Sequence, residues 1–136
     1  MRFVPVTLRA GAMVLLLMLA ACRTLTGTGE SLQRSVGEYN RMLRWQERGE
    51  AVARFVLPLH QPGYLRLTGG DQAPHIVDYR IGSVSWQTPG RVAVVPVELD
   101  YYLPPSVTVK TTVDSQEWSY TEGQGWQITS RPPEFP

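Results

Sequence analysis

The chain has 136 residues, 13 basic and 12 acidic, for a formal net charge of +1, and it contains one cysteine. Lys110 is its only lysine and no basic run is present, which excludes nucleic-acid binding through a lysine-rich face. A single cysteine excludes an internal disulfide and any cysteine-based metal site.

The first stretch is a basic start, Arg2 and Arg9, then the apolar run Ala12 to Ala21. This is the layout of a secretory signal peptide. The run is about half the roughly 20 residues that span a bilayer. It ends in Leu19-Ala20-Ala21-Cys22, which resembles the lipobox of bacterial lipoproteins. The resemblance implies cleavage between Ala21 and Cys22, a diacylglycerol on the Cys22 thiol and an acyl chain on the new amino terminus. Two or three chains anchor a protein stably, at roughly 0.8 kcal/mol per buried methylene. Arg23 stands where an aspartate would imply retention at the inner membrane, so the resemblance implies the outer membrane, facing the periplasm. Removing residues 1–21 from 136 leaves 115, with eleven basic residues against twelve acidic ones, a net charge of about −1. One domain of that size can stand on its own core.

Residues 22–29 read as the lipidated cysteine and a short Gly/Thr tether, and residues 30–136 as a single domain. Leu32, Val36, Tyr39 and Leu43 recur at spacings of four, three and four, which predicts a helix over about 30–48. Met42 and Trp45 widen its apolar stripe, and Gly49 is expected to stop it. A shorter helix is predicted from Glu50 to Val56, ended by Pro58. Tyr64 to Leu67 reads as a short edge strand between turn signals. From His75 the period is two, with Val77, Tyr79 and Ile81 on one face. A bulge at Gly82-Ser83 resets the phase to Val84 and Trp86. Thr88-Pro89-Gly90-Arg91 is a tight turn. The next strand carries Ala93, Val95, Val97, Leu99 and Tyr101 inward, with Pro96 marking an edge or bulge. Val107, Val109 and Val113 give the inward face of the following strand, with a slip near Ser115 to Trp118 and Tyr120. Trp126 and Ile128 form a last short strand, and Pro132-Pro133 closes the domain.

Helices followed by strands on short connections predict an α+β fold, in which the helices pack on a curved antiparallel meander of about four strands. Trp118-Ser-Tyr followed by Gly125-Trp126-Gln127-Ile128, with that order of elements, resembles the cone-shaped NTF2-like superfamily; a cystatin-like arrangement is its neighbour. That resemblance implies a ligand cone with Tyr79, Trp86, Tyr101 and Trp118 as a candidate pocket or aromatic face. Some members are isomerases or dehydratases, with an acid or base in an apolar pocket. Here Asp78, Glu98, Asp100 and His75 would be the candidates, but the three carboxylates alternate with the inward rings and are expected to face solvent. His60 and His75 lack metal-ligand spacing, and no metal site, cofactor or catalytic residue is expected. The reading is a non-catalytic interaction or envelope-assembly module. The membrane is its partner through the lipid, and an envelope protein is a possible second partner. The alternatives are a cone that binds a small apolar ligand, or an isomerase in that cone.

Overall fold

The computed structural model describes residues 28–136. Ala21, Cys22, the apolar run and the tether up to residue 27 lie outside the described residues. The described chain opens in helix α1, residues 28–44. Thr28 and Gly29 are therefore helical rather than tether. The predicted stripe is the buried one: Leu32, Val36, Tyr39, Met42 and Leu43 are all within 2% of complete burial. Glu38 and Arg41, three apart on the solvent side, form a two-pronged ion pair with both contacts at 2.9 Å.

The helix stops before Gly49. Gln46 takes a left-handed φ of 67°. The amide of Gln46 donates to the Leu43 carbonyl and that of Glu47 to the Met42 carbonyl. This pair of bonds closes a helix end on a left-handed residue, with glutamine in the place glycine usually holds. Trp45 sits past the last turn and is 62% exposed under the Arg44 guanidinium, so it leaves the apolar stripe. Gly49 falls inside the first turn of α2, Arg48–Phe55, which buries Val52 and Phe55 as expected, as does Val56 beyond it.

A 3-10 helix, Pro58–Tyr64, and helix α3, Leu65–Thr68, follow. The expected strand at Tyr64 to Leu67 is thus helical. Tyr64 and Leu67, three apart, both turn into the core, a spacing that an alternating strand cannot bury on one face. Among the described residues no helix is long and apolar enough to cross a membrane.

Five strands make one curled antiparallel sheet: β1 His75–Ile81, β2 Ser85–Thr88, β3 Val92–Tyr102, β4 Lys110–Thr121 and β5 Gly125–Ile128. The order is β1-β3-β4-β5, and β2 pairs with β3 as well. β1 and β2 are one long strand broken at Gly82, both on the same side of β3. Ile81 lies opposite Val97 and Trp86 opposite Ala93, so the phase does reset across Gly82. A second reset, not expected, lies at Val77, where Ile76 and Asp78 pair with the consecutive residues Tyr101 and Asp100. Ile76 is thereby buried in place of Val77.

Pro96 stands at the break. Its carbonyl accepts from the Gly82 amide at 2.8 Å, so its missing N–H points to the side where pairing lapses, the position a strand proline needs. The approach is close: a Cβ on Gly82 would stand 2.9 Å from that carbonyl oxygen and 2.9 Å from Pro96 Cγ. Gly82→Ala is expected to destabilise the domain by about 1–3 kcal/mol, the usual range for overpacking. A urea midpoint equal to wild type would show that the strands separate there without strain.

β3 behaves as predicted, burying Ala93, Val95, Val97, Leu99 and Tyr101. β4 does not. It pairs with β3 without interruption from Val92↔Ser119 to Tyr101↔Lys110, so it has one phase throughout. Trp118 sets that phase inward, and Gln116 and Asp114 follow it into the core. Val113 faces out opposite Glu98 and is more than half exposed, like Val107 and Val109.

The helices cover the concave face. Trp118, Tyr39 and Phe55 meet edge to face with centroids about 6 Å apart. Val56 bridges to Ile128, and the Leu57 amide donates to the Ile128 carbonyl, which covers the β5 edge. The tail continues past Pro132-Pro133, and Phe135 packs on Tyr101 at the far end of the concave face. The core runs from Leu32 to Phe135, so the described domain supplies its own interior.

Candidate functional site

Three groups of side chains carry chemistry. The first is buried. Asn40, on α1, Gln116 and Asp114, on β4, are each within 3% of complete burial. Gln116 Nε2 donates to Asn40 Oδ1 at 3.0 Å and to Asp114 Oδ2 at 2.8 Å. Gln116 Oε1 accepts from Trp118 Nε1 at 3.2 Å and from Asn40 Nδ2 at 3.3 Å. Asn40 Nδ2 also donates to the Val36 carbonyl. The glutamine thus uses both ends of its amide, which is what a buried polar chain requires.

Burial pushes the Asp114 carboxyl up to about 6, against the Gln116 bond that favours its charge. Burial, then the Asp114 charge, raises the Tyr39 and Tyr64 phenols. Tyr64 donates to the Ser130 carbonyl, whereas the Tyr39 hydroxyl finds no partner among the described residues. A buried carboxyl of this kind can hold a proton near neutrality. Four surface grooves among the described residues are lined by other side chains and do not include it.

The second group lies on the convex face. Asp78, Glu98 and Asp100 point outward, as the alternation predicts, and surround Arg80. Its Nε contacts Glu98 at 2.9 Å, and its two terminal nitrogens grip Asp100 at 2.8 and 3.0 Å. Asp78 stands 3.8 Å away. The Arg80 and Thr111 bonds hold Asp100 down at about 2. His75 stacks on Tyr102 with centroids 4.9 Å apart and takes contacts from Gln46 and the Tyr102 hydroxyl at Nδ1. His60 lies in the 3-10 helix, apart from His75. Among the described residues no group of histidine, cysteine and carboxylate side chains could hold a metal.

The third group is aromatic. The four rings expected to line a cone do not meet. Tyr101 and Trp118 are buried, and the Tyr101 hydroxyl donates to the Pro136 carbonyl at 2.6 Å. Tyr79 is half-buried on β1. Trp86 is 38% exposed and joins rings outside the expected four. Trp126 lies between Trp86 (5.9 Å) and Tyr120 (5.3 Å), with the Arg91 guanidinium over Tyr120. Trp126 Nε1 donates to Ser31 Oγ at 2.8 Å, tying this cluster to the first turns of α1. The missed signal is the hairpin register, which sets Tyr120 opposite Trp126 across the β4–β5 turn.

Compared with family models, curated proteins and solved structures, the chain matches none.

Proposed function

We propose that the chain is a lipid-anchored lipoprotein of the cell envelope, held through Cys22 at the outer membrane and facing the periplasm, whose folded domain is a non-catalytic interaction module. Leu19-Ala20-Ala21-Cys22 supports the anchor. One observation carries the rest: the space inside the curled sheet is filled by the protein's own side chains. Tyr39, Phe55 and Trp118 occupy its middle and Phe135 its far end. The outward carboxylates are engaged with Arg80. A helix laid in a curled antiparallel sheet supports an NTF2-like or cystatin-like description of the shape. A domain of this design works through its surface, and an envelope protein is the partner that fits its location.

The anchor has a direct test. Wild type is expected in the detergent-extracted membrane fraction, with Cys22 carrying the mass of its lipids. Cys22→Ser is expected as an uncleaved precursor or a soluble form. A serine variant that stays with membranes at the mature size would remove the reading.

A second reading, an isomerase-like acid in the cone, has one observation in its favour, the inward Asp114 carboxyl. Asp114→Asn would abolish such an acid, so any turnover that survives the substitution excludes it.

A further inference from the structure

The aromatic cluster sits where the chain leaves for its anchor. Trp126 is bonded to Ser31. At the β2–β3 turn, a Cβ on Gly90 would stand 3.6 Å from Thr28 Oγ1. Six peptide units separate Thr28 from Cys22, and even fully extended they span at most about 20 Å. A lipid on Cys22 therefore keeps this end of the domain within about 20 Å of the bilayer surface, whatever path the leash takes.

We propose that this end is a membrane-docking face, with Trp86 and Tyr120 seated among the lipid headgroups and Arg91 reaching their phosphates. The inference rests on the lipid-anchor reading. The residue types suit the place. Tryptophan and tyrosine favour the membrane–water boundary, where a ring is apolar on one side and polar at its tip. An arginine guanidinium pairs with phosphate in a forked geometry. Trp126 already has its N–H satisfied by Ser31 and is 4% exposed, so it backs the face, while Trp86 presents it. The neighbouring β4–β5 turn adds Glu122, which offsets Arg91. The face thus acts through its rings more than through net charge, and its seating is weakly sensitive to salt. Trp45 marks the other end of the molecule. It adjoins Gln46, which contacts His75 opposite Tyr102.

The test uses the chain from Cys22 onward, which keeps every described core residue from Leu32 to Phe135. Its only thiol is coupled to a maleimide lipid in vesicles of phosphatidylcholine and phosphatidylglycerol, so attachment does not depend on the cell's own modification. Tryptophan emission is compared between vesicles with and without lipids brominated near the headgroup end of their chains. Wild type is expected to be quenched, Trp86→Phe to lose most of that quenching, and Trp45→Phe to keep it. Trp86→Phe retains a ring against Trp126, and its urea midpoint checks that it stays folded. Absence of quenching, quenching unchanged in Trp86→Phe, or loss in Trp45→Phe instead would each overturn the docking face. The mass of Cys22 in protein taken from cells reports the anchor separately, so one reading can fail without the other.

Discussion

Asp114→Asn should raise the thermal midpoint at pH 7–8 by several degrees and flatten the dependence of stability on pH between about 4 and 6.5. The carboxyl has a folded-state value of about 6 against an ordinary 3.8, with burial as the main cause. The folded protein therefore holds this proton more tightly than the unfolded chain does. Below about pH 3.8 both forms are protonated and no penalty exists. Between 3.8 and 6 the unfolded chain gives up the proton first, and stability falls as pH rises. Above 6 the full penalty applies, about 3 kcal/mol for a shift of that size. Asparagine keeps the shape and an oxygen for Gln116 Nε2 but carries no charge. Asp100 works in the opposite sense and lower on the scale. Held down at about 2, it contributes stability that is lost as pH falls from 3.8 toward 2, outside the Asp114 window. Thermal melts of both proteins from pH 4 to 8 decide it. Curves that stay parallel, or a variant less stable at pH 8, would place the pH dependence elsewhere.

Trp118→Ala should cost about 3–5 kcal/mol, the usual range for removing a large core ring. That is a large part of the 5–15 kcal/mol of an ordinary domain, so the variant is expected to be partly unfolded at 37 °C. Trp118 is fully buried. Its ring is shared between Tyr39 of α1 and Phe55 of α2, and its N–H is one of two donors to Gln116 Oε1. Removing it opens a void at the point where the helices meet the sheet, and it unbalances the polar chain behind. Urea unfolding followed by circular dichroism measures the loss. A cost below about 1 kcal/mol would mean that the three-ring contact is not the centre of the core.

Much of this architecture was legible from periodicity. The α1 stripe and the β3 alternation follow residue by residue from the sequence, because each is a run of apolar side chains at one spacing. The break at Gly82 was visible for the same reason: the spacing changed there. What escaped was polar or compensated. Val107, Val109 and Val113 alternate as an inward face should, yet β4 takes its phase from Trp118 and from an unbroken ladder with β3. Extending the Trp118 phase backward would have placed Gln116 and Asp114 inside. Asn40, eight residues after Leu32 on the same helical face, was the matching signal on α1. Hydropathy alone cannot pair two polar residues 76 positions apart. Tyr64 and Leu67 carried the same ambiguity on a smaller scale, since a four-residue apolar piece suits a helix or a strand equally. Of the aromatic residues singled out, Trp86 alone reached the face that the geometry assembles, because its companions come from a hairpin read only as a short closing strand.

The contacts between Trp126 and Ser31, 95 residues apart, and between Val56 and Ile128 also set a schedule. The chain is made from its amino end at about 5–20 residues per second. Throughout that time the apolar stripe of α1 waits for its cover, since β4 and β5 follow it far along the sequence. The native core cannot form on a partial chain. An apolar helix face left uncovered in this way is what chaperones bind.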